Sequence, residues 1–300
     1  MQNIITEVNK AFYRALLLEK IYAVAQESED SANGNYENIK LKYESGVMSE
    51  FDLLQAEVRW QNSIPETMQA EKNYKLSLNN LKALVNLPQD EEIELDGDLE
   101  SYPTLPKEMQ FEAVLSNRPD YQALYFEKKL REKYVFTERA ESWPTLSGNL
   151  SYFYGARSDK FKLENDNDNI ILGISLRFPL FTGGAASARI QQARIELDRT
   201  NTRIDIASDN IHVDFKNVIL QLKEAYQRIK ASNRSIESAR RVFEIAESRV
   251  QNNLATQLEL KDSRLFLDQA QINYYSAIYD YLAAFFDWQR ITGNVPLQGQ

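Results

Sequence analysis

The sequence predicts a mainly α-helical fold: long antiparallel coiled-coil helical hairpins in two pseudo-repeats, plus a two-stranded β-hairpin. Three observations carry this. The 300 residues include only 10 Gly and 8 Pro, too few for the many turns of an ordinary α/β domain. Apolar and small residues recur at steps of three or four through a Pro- and Gly-free segment from Ala185 to Asn252, the period of a supercoiled helix. Two segments, Thr145–Gly155 and Ile170–Phe181, instead alternate with period two, as strands do.

Composition narrows the function classes. Forty-four acidic and 35 basic side chains leave a net charge of −9, and without a basic block the chain does not read as a nucleic-acid binder. Zero Cys and one His remove thiolate nucleophiles and the Cys- and His-based metal sites. No stretch reaches the ~18 apolar residues of a membrane-spanning helix. Residues 1–4 carry neither a basic nor an apolar leader pattern, so any export signal is expected to have been removed already.

Taken in order, helix is expected from Met1 to about Ser28 and again from Tyr36 to Tyr43, with Gly46 as the break. Glu50 to Val85 continues the pattern, with a kink at Pro65. The acidic, Pro-containing stretch from Pro88 to Pro106 reads as a connector. Helices resume at Lys107–Asn117 and Asp120–Ser142, Pro119 suiting a helix start. The long helix follows, its stripe running Ile204, Ala207, Ile211, Phe215, Val218, Leu222, Ala225, Ile229 and on to Val250. At 1.5 Å per residue it forms a rod of about 100 Å. A last helix, Thr256–Thr292, stops at Gly293. The expected divisions are a first helical hairpin at 1–88, the connector at 89–106, shorter helices at 107–142, the β-hairpin at 143–183, a second long helical hairpin at 184–293 and a tail at 294–300.

The chain also repeats itself at an offset of 207: Lys42 to Leu53 aligns with Arg249 to Leu260, Ala70 with Ala277, Tyr74 with Tyr281 and Asn86 with Gly293. In each copy a turn holds Gly46 or Asn253, residues tolerant of the left-handed conformation. Ser49 or Thr256 then caps the next helix. The alternating segments have one apolar face, with Leu146, Leu150, Tyr152, Ile174, Leu176 and Phe178, and one small or polar face. A strand of about 11 residues with that alternation suits an outer membrane, apolar side to lipid. A hairpin packed on helices gives similar alternation, so the pattern alone admits both. The charged loop Ala156–Asn169 suits an external loop.

Several motifs meet a known family. Asn117-Arg118-Pro119-Asp120, Pro144-Thr145-Leu146, Phe178-Pro179-Leu180-Phe181-Thr182-Gly183-Gly184 and the tip sequence Tyr43 to Leu54 together resemble, in order along the chain, the TolC-type outer membrane efflux proteins (outer membrane factors). The resemblance implies a homotrimer whose protomers each give four strands to one outer-membrane barrel, with helices forming an α-barrel across the periplasm. It implies a periplasmic adaptor and an inner-membrane pump meeting the closed tip, outer-membrane lipid around the strands, and no cofactor, metal or nucleic acid. Drugs, solutes or polypeptide would then pass passively through the duct of a tripartite efflux or type I secretion system. Set against the offset of 207, the first repeat begins about 100 residues before Met1. An N-terminal truncation is therefore expected, with closure of a barrel from two strands per protomer costly at the open edges.

By the same resemblance, Glu259 and Asp262 match the family's acidic ring at the periplasmic constriction, six carboxylates around a threefold axis that favour cations. An acidic first helical turn is the plain alternative. Asp52 holds the corresponding place in the first hairpin. Its basic partner in the family falls here on Ala255, so closure through Arg249 or Lys261 is expected instead. Gly46, Val47, Asn253 and Leu254 match the tips that contact adaptor or pump. His212 is expected as a solvated surface side chain, and Thr182-Gly183-Gly184 lacks the Gly-Lys-Ser/Thr of a phosphate cradle. No constellation reads as catalytic, so the chain is not expected to be an enzyme. The competing reading is a soluble coiled-coil scaffold or interaction protein, in which Leu150, Ile174 and Leu176 are buried against helices.

Overall fold

The computed structural model describes residues 2–107, 109–156, 165–252 and 254–294. Among these residues the elements are α1 (Gln2–Glu44), α2 (Glu50–Val85), α3 (Phe111–Asn117), α4 (Pro119–Ala140), β1 (Thr145–Ala156), β2 (Asn165–Arg177), α5 (Ala185–Gln251) and α6 (Gln257–Thr292). The mainly helical class with a single antiparallel hairpin is thus borne out. The helix expected from Glu50 to Val85 is found with those bounds, Pro65 inside it. Three details differ from expectation. α1 runs unbroken past Asn33-Gly34-Asn35 because its buried stripe continues through Ala32 and Ile39. α3 starts only at Phe111. β2 begins earlier than Ile170 and ends at Arg177, which pairs with Thr145. Phe178, expected in the strand, lies outside it, between that terminal pair and Pro179, whose nitrogen has no proton for a ladder. The central part of the expected external loop, 157–164, lies outside the described residues.

The chain divides into two compact units, residues 1–118 with 211–300 and residues 119–210. In the larger, one core joins Leu16 and Leu17 of α1, Leu222, Ala225 and Ile229 of α5, and Ala277, Ile278, Tyr281 and Leu282 of α6. Leu99, from the Pro-containing connector, is fully buried in it. Tyr281 is the pivot of this cluster, edge-on to Tyr102 at 5.7 Å and 5.8 Å from Tyr226. Tight apposition of helices follows from the small residues on their stripes, Ala225 and Ala277 among them, since small side chains bring backbones close and let neighbours interdigitate. In the smaller unit, Arg189 of α5 lies 3.4 Å from Glu138 and 2.9 Å from Glu141, at the α4 C-terminus and just beyond it, and Arg203 lies 3.7 Å from Glu127.

The internal repeat is visible bond by bond. Val47 N donates to Lys42 O at 2.8 Å and Leu254 N to Arg249 O at 2.7 Å, positions related by 207. Leu87 N donates to Lys82 O, and Asn294 N to Gln289 O, each at 2.9 Å. The caps agree: Ser49 and Thr256 have φ/ψ of −83/158 and −87/158, and Asn86 and Gly293 are left-handed at φ 57 and 72. Both helices therefore end in the same six-to-one C-terminal turn, which satisfies carbonyls that would otherwise be orphaned.

Gly293 has an added constraint. A Cβ there would lie 2.4 Å from Asn117 O, at the place where Arg118 Nη1 donates to Ile291 O at 3.3 Å. The end of α3 is thus stapled to the end of α6, which gives the Asn117-Arg118-Pro119 motif a physical role. Gly293→Ala is expected to cost at least about 2 kcal/mol, from strain plus backbone displacement. Gly46→Ala, left-handed at φ 77 but with open space around it, should cost only about 1 kcal/mol. Urea unfolding of the two variants checks the contrast.

Burial, with Tyr226 and Tyr102 adding to it, pushes the Tyr281 phenol up to about 12, against about 10 in an unfolded chain. The folded state then holds its proton where the unfolded state releases it. The stability so contributed is intact below about pH 10 and is lost as the pH rises towards 12. The Tyr281 hydroxyl has no hydrogen-bond partner among the described residues. Tyr281→Phe should therefore shift stability at pH 8 by less than about 1 kcal/mol and flatten the alkaline loss, measured by unfolding at pH 8 and pH 11.

Candidate functional site

Two regions hold the residues singled out by the sequence: the paired turns α1–α2 and α5–α6, and the face of the β-hairpin. The two turns lie at the same end of the larger unit, because α1 and α6 run antiparallel with Asn35 Nδ2 donating to Gln257 Oε1 at 2.9 Å. Gly46, Val47 and Leu254 are exposed there, Leu254 and Val47 by 69% and 64%. Asn253 lies outside the described residues.

The acidic residues of the two turns are used differently. Asp52 closes a capping box, its Oδ2 accepting from Ser49 Oγ at 2.6 Å and Ser49 N at 3.3 Å, while Ser49 Oγ accepts from Asp52 N at 3.2 Å. It makes no ion pair among the described residues, and Ala255 offers it none. In the second turn Thr256 Oγ1 accepts from Glu259 N at 3.2 Å, leaving the Glu259 carboxylate free to lie 3.6 Å from Arg249 Nη1. Arg249 Nη2 also donates to Leu254 O at 3.0 Å, so this one guanidinium ties the end of α5 across the turn to the start of α6. Glu259 and Asp262 are both exposed, one turn apart on α6. Lys261 is exposed and lines a cavity of about 360 Å³ with Arg59, Glu66 and Asp268.

Beyond the turn, α6 carries a charged pair that the sequence reading missed. The Arg264 side chain is only 7% exposed and that of Asp268 16%, with Nε and Oδ1 2.7 Å apart. Asp268 Oδ2 accepts from Ser28 Oγ of α1 at 2.9 Å, and the Arg264 guanidinium sits over the Phe243 ring of α5. Burial raises the Asp268 carboxyl above its usual range, with Arg264, Ser28 and Arg59 pulling the other way. Burial also lowers Arg59, opposed chiefly by Asp268. The available signal was charge at the helical spacing of a core stripe, Leu260, Arg264, Leu267 and Gln271.

On the hairpin, register pairs Leu146 with Leu176, Gly148 with Ile174, Leu150 with Leu172 and Tyr152 with Ile170, so these share one face. That face is open: Leu146, Leu150, Tyr152, Ile174 and Leu176 are 61–76% exposed, and Phe178 beyond the strand 57%. The opposite face is mostly small or polar, with Ser147 Oγ 2.8 Å from Ser175 Oγ, though Ile171 and Phe153 also lie on it. The burial of Leu150, Ile174 and Leu176 expected of a soluble scaffold is therefore not found. His212 departs from expectation too, half-buried and edge-on to Phe111 at 4.5 Å. No helix among the described residues is long and apolar enough to cross a membrane, and no group of three or more acidic or His side chains among them could hold a metal.

A sequence model of the Outer membrane efflux protein family (OEP) matches residues 111–294. The chain belongs to the outer membrane efflux protein family. Its TolC-like helical fold is shared with solved members. The outer membrane protein VceC of Vibrio cholerae matches with a TM-score of 0.79 at 19% identity, over 97% of this chain and 70% of that one. The open-state MtrE outer membrane channel of Neisseria gonorrhoeae matches at 0.83 and 18% identity, over 97% and 66%. By sequence, the chain is 24% identical over 175 residues to the cobalt-zinc-cadmium resistance protein CzcC of Cupriavidus metallidurans, covering 58% of this chain. It spans 40% of that relative's length. Efflux-family relatives are thus channels of the outer membrane rather than enzymes.

The caps that shape the two turns are testable in isolation. Ser49→Ala is expected to cost about 1–2 kcal/mol and Thr256→Ala about 1 kcal/mol, because only Ser49 sits in a reciprocal box. Thermal unfolding of the two variants, read side by side, gives the difference.

Proposed function

We propose that the chain is part of an outer-membrane exit duct that conducts passively, with its gate at the paired turns. In this reading three copies assemble around one axis, the hairpin face of Leu146, Leu150, Tyr152, Ile174 and Leu176 meets lipid, and the turns at Gly46, Val47, Asn253 and Leu254 meet a periplasmic adaptor and an inner-membrane pump. The observation that carries it is the hairpin: a two-residue alternation with a predominantly apolar open face and an opposite face that is mostly small or polar, Ile171 and Phe153 apart, suits a lipid–water boundary. Water alone gives no reason to expose so many large apolar side chains on one face. The six divisions of the chain take their roles from the same reading: the long helical hairpins would span the periplasm and the β-hairpin the membrane.

Glu259 and Asp262 are the proposed selectivity residues and Asp52 a structural partner at the gate. Repeated around a threefold axis, two exposed carboxylates per chain favour cations and repel anions. The Cupriavidus relative is named for cobalt, zinc and cadmium resistance, and an acidic mouth suits such cations. The test is the reversal potential of the purified protein in planar bilayers under a salt gradient. Glu259→Gln combined with Asp262→Asn should lower cation preference several-fold; unchanged selectivity would remove the acidic pair from the pathway, and absence of any conductance would remove the duct reading itself.

A further inference from the structure

The mostly polar face of the hairpin changes character along its length. At the end where the helices join the ladder it runs through Ser147 opposite Ser175 and Asn149 opposite Gly173. Its side chains there are short or lie flat. The two serine hydroxyls are 2.8 Å apart. A Cβ on Gly173 would fall 2.5 Å from Asn149 Oδ1, so the Asn149 amide lies across the sheet over Gly173 instead of standing away from it. Further along, the same face carries Ile171, opposite Ser151, and Phe153, opposite Asn169. These two are 46% and 60% exposed, and as diagonal neighbours, ~7–8 Å apart, they make one apolar patch. Tyr152 and Tyr154 flank Phe153 in sequence and project from the opposite face. A membrane interface favours rings with a polar tip, and of these three consecutive rings the one without a hydroxyl is the one on the polar side.

We infer that Phe153 and Ile171 form an apolar collar on the water side of the strands, which narrows the duct near its outer mouth and impedes hydrated ions more than solutes that carry apolar surface. This rests on the function proposed above: with the Leu150 and Ile174 face in lipid, Phe153 and Ile171 face the duct, and every further copy adds the same pair at the same height. The ladder opens at the pair Thr145 and Arg177, on the side of α4 and α5, so the collar lies towards the far side of the membrane. From Thr145 to Phe153, a rise of ~3.3 Å per residue and a tilt of ~40° give a height of roughly 20 Å, within the ~25 Å apolar band of a barrel. The step from serine and a flat-lying amide to phenylalanine and isoleucine reduces the free width there. An apolar constriction gives an ion nothing to replace the water it sheds. A solute with apolar surface meets no such barrier and gains contact with the ring. The collar differs in place and kind from Glu259 and Asp262: the carboxylates sort by charge, the collar by hydration.

The chain has no Cys, so single cysteines report the placement directly. In lipid vesicles, Phe153→Cys and Ile171→Cys should react with a water-soluble charged thiol reagent about tenfold faster than Tyr152→Cys and Ile170→Cys, which face lipid. Equal or reversed rates overturn the placement. In planar bilayers, Phe153→Ser combined with Ile171→Ser should raise single-channel potassium conductance about twofold and leave the reversal potential under a potassium chloride gradient unchanged, because the acidic pair is intact. The permeability ratio of tetrabutylammonium to potassium should fall several-fold in the same variant. Phe153→Leu, which keeps an apolar side chain, should stay near the wild type. Should the double serine variant fail to fold, Phe153→Cys carries the test: its conductance should rise, and attaching a benzyl group to the thiol should bring it back. Unchanged conductance and permeability ratio in a conducting protein overturn the collar and leave the duct reading standing. Wild-type protein that never conducts overturns the duct reading and the collar with it.

Discussion

Packing around Tyr281 is the interaction on which the larger unit depends. A helix of 36 residues such as α6 has no reason to hold one orientation in water by propensity alone, since most helical stability in proteins comes from tertiary burial of one face. Here α6 lies against α1 through Leu16 and Leu17 and against α5 through Leu222, Ala225 and Ile229, while Leu99 and Tyr102 from the connector close the cluster. Three long helices and one irregular strand of chain thus share a single core. Everything further along the helices inherits its register from this point, including the two turns.

That inheritance explains why polar contacts suffice nearer the turns. Burying Arg264 and Asp268 costs desolvation that their mutual attraction only partly offsets, so the pair adds specificity more than stability. With register already set by the aromatic core, the polar stretch need not supply it. The two turns then need only reverse the chain, and they do so with nearly identical caps at Ser49 and Thr256. Where they differ is in the use of acid: Asp52 is consumed by its cap, whereas Glu259 faces Arg249. One repeat has kept its carboxylate for local structure and the other has it displayed.

The helices, the two caps and the hairpin were legible in the sequence because each is a local pattern. Turn chemistry at Ser49 and Thr256, left-handed ends at Asn86 and Gly293, and alternation around Leu150 and Ile174 all depend on neighbours a few residues away. The continuity of α1 was not legible, since Asn33-Gly34-Asn35 reads as a breaker and only burial of Ala32 and Ile39 by other elements carries the helix through. The Arg264–Asp268 pair was illegible for the same reason. Two charges four residues apart on a helix ordinarily make an exposed pair, and it is the arrival of Ser28 from a helix more than two hundred residues away that makes this one buried. His212 was misjudged because Phe111, its ring partner, lies on a separate short helix.

The hairpin carries the last step. β1 and β2 form a two-stranded sheet, so each strand pairs on one side and leaves a row of backbone donors and acceptors on the other. In lipid each such group lacks water as a partner, and an open edge there is too costly to persist. In water the edges are tolerable, but the exposed apolar face at Leu146, Leu150, Ile174 and Leu176 is then the liability. Further strands remove open edges but cover no face; only an apolar surrounding or partner does that. Under the function proposed above, a closed ring of strands set in lipid meets both demands.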